Sequence, residues 1–394
     1  MSESIVIVSI ARTPQGNLLG VLKDVPAPNL GGVAIKAALE RANLVPTDIS
    51  EVIFGCVLPA GQGQAPARQA AFQGGLSAST PCTTVNKMCG SGMKAVMIAY
   101  DELRSNNGNQ VIVAGGMESM TNAPYLIPKA RQGYRLGKAE ILDHMTWDGL
   151  EDAYDKGRPM GYFAEMCVEK FGFTRQEQDE YAKTSLTRAQ HAIENHLFDF
   201  EIAPVTVKTR QGEVVISVDE HPSSVKIEKI PELAPVFKKD GTVTAANSSS
   251  IADGAAALIL MTESEAKRRN IKPLAKIVNH TSHAQKPEEF TTAPIAAIQK
   301  LLKKNSWTID DVDLFEVNEA FAVVAMAAQK ELNIPHAKLN VRGSGVALGH
   351  PIGATGARII VTLIAALKHE NLKRGIAALC IGGGEATAIG IELV

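Results

Sequence analysis

This 394-residue sequence lacks the compositional features that mark disordered or fibrous proteins. Charged residues make up only 21% of the chain and apolar residues 45%, so it has the composition of neither disordered nor fibrous proteins. Since a domain usually holds roughly 100 to 200 residues, the length predicts two or three packed units.

The chain also lacks an excess of charge and long apolar runs. Lysine and arginine number 40 against 42 aspartates and glutamates, which gives no general drive toward nucleic acid. The apolar run from Ile359 to Leu367 is far shorter than the ~20 residues of a membrane-spanning helix. Glu3 leads directly into the apolar stretch 5–8, unlike a secretion or transit peptide, and residues 391–394 match no retention signal. We therefore expect a cytoplasmic protein that binds neither nucleic acid nor membrane.

Cysteine is scarce, and its spacing excludes two common roles. The cysteines form an odd set without C-x-x-C spacing, which argues against a disulfide framework and against a structural zinc site. They are Cys56, Cys82, Cys89, Cys167 and Cys380. Some of these thiols are therefore free for other chemistry.

The two ends of the chain repeat one pattern of helix and strand. Apolar positions in residues 35–54 recur in residues 295–314, first at helical and then at alternating spacing. The strand-like segment VIVAGGM at 111–117 corresponds to ALCIGGG at 378–384, and each follows a small-residue loop and an apolar helix. The repeat predicts two copies of one α/β unit.

Apolar strands that alternate with helices favour an α/β fold with parallel sheets covered on both faces and the helices of two units packed together. The first predicted unit spans residues 1–268, with a core of 1–120 and 242–268. The turn-rich, charged region 121–241 is predicted to be a loop domain inserted into this unit. Residues 269–394 form the second unit.

The first stretch that indicates chemistry is NKMCGSGMK at 86–94. Cys89 precedes two glycines around a serine and then a helical apolar pattern, which predicts a strand-to-helix turn. A thiol near a helix N-terminus has a lowered pKa, so Cys89 is a candidate nucleophile. A small buried hydrophobic residue is the competing interpretation of this stretch alone.

A second stretch, residues 340–353, places His350 between glycine and proline in a loop before a helix. A histidine held in a fixed conformation can act as a base toward a thiol, although such a residue more often has a structural role. The glycines at 343, 345 and 349 do not match the dinucleotide fingerprint, so a Rossmann-type site is not predicted.

Two further stretches place polar or reactive groups within or at the ends of apolar runs. Cys380 precedes glycines at 382–384, whose successive backbone N–H groups can hold an oxyanion. A thiol beside such an array suggests an acid/base role for Cys380, with core packing as the alternative. Asn318 and Glu319 interrupt an apolar run and need hydrogen-bond partners, either structural or catalytic.

Together these blocks resemble the signature sequences of the thiolases, and among them the acetyl-CoA C-acetyltransferases. The blocks are CGSG from Cys89, NEAFA at 318–322, GHPIGATGAR at 349–358 and CIGGG at 380–384. ARTP at 11–14 and residues 247–254 extend the resemblance over essentially the whole chain.

The resemblance implies a five-layered αβαβα fold made of two duplicated α/β halves with an inserted loop domain. It implies the reversible Claisen condensation of two acetyl-CoA molecules to acetoacetyl-CoA and coenzyme A, in lipid metabolism. Cys89 resembles the nucleophile that carries the acetyl group, and His350 the base that activates it. Cys380 resembles the thiol that removes a proton from the second acetyl-CoA. Asn318, through a bound water, and the backbone N–H of Gly382 resemble the oxyanion donors.

By the same resemblance, coenzyme A is a substrate and product, no cofactor is tightly bound and no metal is required. The residues that match positions around the pantetheine arm and the acyl group are Leu150, Met160, Phe237, Ala245, Ser249, Ala320 and Phe321. For Met160 and Phe237, packing inside the loop domain is the competing interpretation. The basic stretch 129–138 matches a loop at the subunit contact of the family's tetramers, which predicts a homotetramer, a dimer of dimers.

Three departures from the family pattern bear on substrate preference. PMG stands at 159–161 where acetoacetyl-CoA thiolases often have His-Met-Gly, and RGS at 342–344 replaces Asn-Gly-Gly. Serines at 223–224 replace an arginine that faces the CoA phosphates, with Lys226 or Lys229 as substitutes. The alternatives are a 3-ketoacyl-CoA thiolase of broader chain length, a condensing enzyme that uses a carrier protein, and a non-catalytic acyl-CoA-binding protein.

Overall fold

The computed structural model describes residues 3–105, 108 and 110–394; residues 1, 2, 106, 107 and 109 of the predicted first unit lie outside the described residues. The strands are β1 (Ile5–Arg12), β2 (Gly16–Asn17), β3 (Glu51–Gly55), β4 (Cys82–Val85), β5 (Val111–Ser119), β6 (Tyr125–Leu126), β7 (Leu142–Asp143), β8 (Val205–Thr209), β9 (Gly212–Ile216), β10 (Ala252–Thr262), β11 (Ala275–Ala284), β12 (Leu314–Val317), β13 (Arg374–Ile381) and β14 (Glu385–Leu393). The helices are α1 (Ala27–Ala42), α2 (Pro66–Gln73), α3 (Ser91–Ser105), α4 (Met160–Phe171), α5 (Arg175–Glu194), α6 (His221–Ser224), α7 (Glu263–Arg268), α8 (Ala293–Asn305), α9 (Ala322–Leu332), α10 (Gly345–Leu348) and α11 (Thr355–His369). Short turns of 3₁₀ or π-helix cover Pro46–Asp48, Thr146–Leu150, Ile227–Glu232, Pro287–Thr292 and His336–Lys338.

One mixed sheet of ten strands runs through the described chain. Its order is β12–β13–β14–β11–β1–β10–β5–β3–β4, with β2 attached to β10. The two halves of the sheet meet where β1 pairs antiparallel with β11, over residues Ile5 to Ile7. The pairs β6–β7 and β8–β9 form separate hairpins.

The expectation of parallel sheets is wrong for the centre of each half. β3 is parallel to β4 and β5, and β12 is parallel to β13, but the strands between them pair antiparallel. In the second half the reason is local, because β13 returns into β14 through the glycine turn 382–384 and a direct turn joins antiparallel neighbours. Ile381 and Glu385 pair across that turn.

Five layers result from three apolar cores. Helices α3 and α11 lie between the two halves of the sheet and share one core with both of them. Helices α1 and α2 cover the outer face of the first half, and α8 and α9 cover that of the second. The predicted αβαβα fold of two duplicated halves is confirmed. Strands β1 and β10 are buried on both faces, and each contains a long apolar run, over residues 5–8 in β1 and 254–261 in β10.

Residues 121–241 connect β5 to β10 and contain α4, α5 and the two hairpins. Helix α5 begins at a capping box in which the Thr174 hydroxyl accepts from Glu177 N and the Glu177 carboxylate accepts from Thr174 N. Its apolar face packs on α10 through Leu186 and Ala347. The assignment of 121–241 to a separate loop domain, and the boundary at 268, stay predictions. None of the described helices combines the length and apolar character that crossing a bilayer requires.

Candidate active site

Cys89 lies in a tight turn between β4 and α3. Gly90 N donates to Lys87 O at 3.0 Å, and Met88 adopts the left-handed conformation with φ +47°. A Cβ at Gly90 would lie 2.4 Å from Ile381 Cδ1, so only glycine fits there without displacing that side chain. The predicted strand-to-helix turn is confirmed.

The pKa of Cys89 does not follow the prediction made from this turn. Burial raises it to about 11, because desolvation disfavours the thiolate, and the charge of Glu118 acts in the same direction. The backbone N–H of Gly382 acts in the opposite direction and lowers the pKa of Cys89, but burial has the larger effect. The predicted lowering is therefore wrong, and Cys89 needs a base to become a nucleophile.

Cys380 lies near the end of β13, fully buried. Burial raises its pKa well above the usual value, and the neighbouring thiol of Cys89 raises it further. The two cysteines come from opposite halves of the fold, and their chain neighbours Gly90 and Ile381 are in contact. Gly382 follows directly after β13, and its backbone N–H lowers the pKa of Cys89. Three of the predicted catalytic residues are therefore neighbours.

His350 is buried in the loop between α10 and α11. Its Nδ1 lies 2.7 Å from Thr355 Oγ1, and this hydroxyl donates to Pro351 O at 2.9 Å. Since a hydroxyl has one proton to donate, Thr355 accepts from Nδ1–H, and Nε2 carries the lone pair. Burial lowers the pKa of His350 to about 3, so the ring is neutral at pH 7. Nε2 has no hydrogen-bond partner in the described part of the chain.

The loop that carries His350 packs directly against the segment that carries Cys89. A Cβ at Gly92, in the first turn of α3, would lie 3.0 Å from Gly353 O. A Cβ at Gly116 in β5 would lie 2.1 Å from the same oxygen. The backbones can approach this closely only because glycine, which has no side chain, occupies both positions. The histidine loop and the cysteine turn therefore form one wall of the site.

Asn318 and Glu319, which follow β12, differ in their surroundings. Glu319 accepts hydrogen bonds from Tyr181, Ser185 and Asn340 at 2.7 to 3.0 Å, so its role is structural. The side chain of Asn318 is fully buried, and among the described residues neither its Oδ1 nor its Nδ2 has a partner. An unpartnered buried amide destabilises a fold by ~1 to 3 kcal/mol. Asn318 is therefore available to a water or substrate.

Most of the residues predicted to surround coenzyme A lie beside one of the two thiols. One group packs with Cys380 in a single apolar cluster and comprises Met160, Phe237, Ala320 and Phe321. The rings of Phe237 and Phe321 meet edge to face at 5.9 Å. The sulfur of Met160 lies 3.4 Å from the place a Cβ would take on Gly382. The packing of Met160 and Phe237 is thus part of the wall around Cys380.

The remaining predicted residues are more dispersed. Leu150 packs in a second apolar cluster, which includes Cys89. Ser249 N donates to Ala320 O at 3.0 Å, which places it beside the cluster of Cys380. Ala245 instead lines a separate cleft of about 160 Å³ between the loop region and α10.

The departure at 342–344 is accommodated by structural hydrogen bonds. Arg342 is buried and donates to Leu197 O at 2.6 Å and to Ala365 O at 3.3 Å. Ser344 Oγ donates to Glu316 at 3.5 Å. Burial raises the pKa of Glu316 to about 8. By contrast, Lys226 and Lys229 are exposed.

Glu118 and Thr355 are absent from the predicted site. Glu118 is fully buried in β5, and its carboxylate accepts from Val57 N and Gly353 N at 2.9 Å each and from Leu58 N at 3.2 Å. It thereby ties β5 to the histidine loop, and burial raises its pKa to about 7. A charged residue inside an apolar segment is the signal that could have identified it, as it did Asn318.

All five cysteines lie in the described part of the chain as free thiols. Across residues 3–105, 108 and 110–394, no three or more His, Cys, Asp or Glu side chains are grouped so that they could hold a metal ion.

Two family models match the chain and together cover nearly all of it. Residues 5–264 match the model of the thiolase N-terminal domain, and residues 271–393 match that of the thiolase C-terminal domain. Among similar proteins, one from Schizosaccharomyces pombe named acetyl-CoA acetyltransferase is 46% identical over 100% of both chains. One from Dictyostelium discoideum named probable acetyl-CoA acetyltransferase is 47% identical over 99% of this chain and 94% of its own.

Solved structures share the fold over the full length. The acetyl-CoA acetyltransferase of Bacillus anthracis has a TM-score of 0.97 and 42% identity, covering 100% of this chain and 99% of its own. The Acat5 thiolase of Ascaris suum, solved in complex with coenzyme A, has a TM-score of 0.94 and 40% identity over 100% of both chains.

Proposed function

This chain belongs to the thiolase family, and on this premise we propose that it transfers acetyl groups through a thioester on Cys89. The enzyme is an acetyl-CoA acetyltransferase, which condenses two acetyl-CoA molecules reversibly to acetoacetyl-CoA and coenzyme A. The observation that carries the proposal is the contact between Gly90 and Ile381, which places Cys89 and Cys380 at one junction beside Gly382.

In the first half-reaction, His350 Nε2 takes the proton of the Cys89 thiol, and the thiolate attacks the thioester carbonyl of acetyl-CoA. The C–S bond of acetyl-CoA breaks, and coenzyme A leaves as a thiol with the proton from His350. The acetyl group remains on Cys89. The raised pKa of Cys89 makes a base necessary, and the bond to Thr355 keeps Nε2 in the accepting form.

In the second half-reaction, Cys380 gives its proton to His350 Nε2, which is neutral again once coenzyme A has left, and the resulting thiolate removes a proton from the methyl carbon of a second acetyl-CoA. The carbanion attacks the thioester carbonyl on Cys89, so that a C–C bond forms and the C–S bond breaks. Cys89 leaves as a thiolate and recovers a proton from His350, while Cys380 keeps the proton taken from the methyl carbon. Sulfur suits both roles, because a thiolate is a good nucleophile and its thioester stays reactive.

Negative charge develops on a thioester oxygen in each half-reaction. The backbone N–H groups of Cys89 and Gly382 form one set of donors in this proposal. His350 and a water held by Asn318 form the other, which gives the unpartnered Asn318 amide a function. Removing one such donor typically costs ~3 to 4 kcal/mol of transition-state stabilisation, or about 100- to 1,000-fold in rate.

Coenzyme A lies along residues 121–241 in this proposal. Its pantetheine arm passes Met160 and Phe237, beside Cys380, and its nucleotide end extends toward the cleft at Ala245. The exposed Lys226 and Lys229 would then pair with its phosphates. The complex of the Ascaris suum thiolase with coenzyme A supports this class of ligand. The homotetramer and the cytoplasmic location stay predictions from the sequence.

The acyl-enzyme is tested by incubation with acetyl-CoA alone, followed by mass spectrometry of peptides. We expect one added acetyl group, on the peptide that contains Cys89, and none in Cys89→Ala. Cys380→Ser should still be acetylated but should hardly condense, whereas equal loss of both steps would contradict the division of roles. Wild-type protein that stays unmodified would contradict the mechanism. Equal thiolysis of acetoacetyl-CoA and longer 3-ketoacyl-CoA substrates would favour a thiolase of broader chain length.

A further inference from the structure

An ion pair joins the two segments that carry the proposed reacting groups. Lys87 Nζ contacts a carboxylate oxygen of Glu385. Lys87 lies two residues before Cys89, in the first half of the fold, and Glu385 directly follows the glycine turn 382–384 in the second half. The pair therefore bridges the junction at which the site is assembled.

The backbone is held firmly at both ends of this pair. Lys87 O closes the cysteine turn by accepting from Gly90 N at 3.0 Å. Glu385 is the first residue of β14 and pairs with Ile381 on one side and with Ala284 of β11 on the other. The two side chains are only 25% and 36% exposed. The ion pair thus connects two ordered segments of backbone.

The junction that the ion pair spans also places Gly382 near Cys89, since the backbone N–H of Gly382 lowers the pKa of that thiol. The same two segments touch a second time where Gly90 meets Ile381. That second contact is apolar and limits how closely the segments approach. An attraction across the same junction keeps them from separating.

We infer that the Lys87–Glu385 pair is a positioning device that sets the placement of the Gly382 N–H relative to the Cys89 sulfur. The inference rests on the proposed function, in which that N–H stabilises the thioester oxygen. A partly exposed ion pair contributes little to global stability. Misplacing a reacting geometry by about 1 Å, however, can slow a reaction by about 100-fold. The pair should therefore affect acyl transfer more than folding.

Two reactions of the same thiol separate positioning from other effects. Acetylation by acetyl-CoA develops negative charge on an oxygen and needs the Gly382 donor. Alkylation of Cys89 by iodoacetamide displaces iodide at a saturated carbon and needs only the thiolate. In Lys87→Met and Glu385→Gln, we expect single-turnover acetylation to slow by about 10- to 100-fold. The acetyl-CoA concentration at half-saturation should stay within about twofold, since it does not depend on that donor. Alkylation depends on the donor only through the pKa of Cys89, so its rate should fall far less than that of acetylation.

Charge reversal and a matched control complete the experiment. Lys87→Glu should acetylate slowly. Adding Glu385→Lys to this variant should raise the acetylation rate at least about tenfold, because the ion pair is re-formed with opposite polarity. Lys276→Met breaks the pair with Glu392 (2.7 Å) at the other end of β14 and should leave acetylation unchanged.

Three results would overturn the inference. Acetylation at the wild-type rate in both single variants would show that the pair has no role. A parallel loss of alkylation would mean that the charge of Lys87 stabilises the thiolate directly. Failure of the reversed pair to recover would remove the case for an ion pair. Absence of acetylation in the wild-type enzyme would instead overturn the proposed function.

Discussion

Replacing Thr355 with valine removes the hydroxyl that accepts Nδ1–H of His350 while keeping nearly the same volume. In the wild-type protein this hydroxyl receives one hydrogen bond at 2.7 Å and donates another to Pro351 O at 2.9 Å. Thr355 is fully buried, so water does not replace either bond without entering the core. In the variant, the tautomer of His350 that carries its proton on Nδ1 is therefore no longer favoured over the one that carries it on Nε2.

The size of the effect follows from that energy difference. A net hydrogen bond contributes about 0.5 to 1.5 kcal/mol, and 1.4 kcal/mol corresponds to about tenfold in rate. Loss of the tautomer preference alone should thus slow acetylation of Cys89 by up to about tenfold. Loss of ring orientation adds to this, and we expect a total of about 10- to 100-fold. The Nδ1–H left without a partner should also lower the free energy of unfolding by about 1 to 3 kcal/mol, whereas Pro351 O keeps its hydrogen bonds from Ala354 N and Thr355 N.

Rapid-quench measurement of single-turnover acetylation at saturating acetyl-CoA tests this expectation, with urea unfolding measured in parallel. Thr355→Ser is the matched control, because it keeps the hydroxyl and removes only a methyl group. It should acetylate within about threefold of wild type, since its hydrogen bonds remain.

Two results would refute the reasoning. A Thr355→Val enzyme that acetylates at the wild-type rate, even if it is less stable, would show that the hydroxyl does not govern His350. A Thr355→Ser enzyme as slow as the valine variant would assign the effect to packing of the methyl group.

Three further predictions concern other buried residues. Glu118 has a native pKa of about 7 against 4.5 for the free side chain, so the native state binds more protons in that window. Stability of the wild type relative to Glu118→Gln should therefore fall as pH rises from 4.5 to 7 and level off above, as urea unfolding at several pH values would measure. Gly116→Ala should lower the free energy of unfolding by at least about 1 to 3 kcal/mol, because its Cβ would lie 2.1 Å from Gly353 O. Gly254→Ala, whose nearest contact would be 3.4 Å, is the control. Asn318→Ala should slow turnover about 100- to 1,000-fold with little loss of stability by thermal unfolding, since its amide has no partner in the described chain; a large loss of stability with normal turnover would contradict the oxyanion role.

Much of the fold could be predicted from apolar patterns. Residues 111–117 and 378–384 correspond in sequence, and they become β5 and the end of β13 with its glycine turn. The relative direction of the strands could not be predicted in the same way, because an apolar run buried on both faces has the same composition in parallel and antiparallel sheets. Only the short return from β13 to β14 makes the antiparallel pairing necessary.

The sequence predicted which residues form the candidate site, but it did not predict their pKa values or their hydrogen-bond partners. Cys89 is at the turn that its glycines indicate, yet its pKa is raised because apolar groups from other segments desolvate it. Thr355 is five residues from His350, and the sequence contains no sign that its hydroxyl accepts from the ring. Glu118 went unpredicted because its partners come from two segments distant in sequence, residues 57–58 and Gly353.

The amino-acid sequence by itself determined the duplicated α/β architecture, the tight glycine turns and the presence of free thiols, since these depend on local backbone preferences and apolar periodicity. Only the tertiary structure decided which thiols interact, which nitrogen of His350 carries the lone pair, and how Lys87 reaches Glu385, 298 residues away. The physical reason is the distance along the chain over which each kind of interaction acts. Conformational preferences act over a few neighbouring residues, whereas desolvation and electrostatic interactions depend on atoms that only the folded chain brings within a few ångströms.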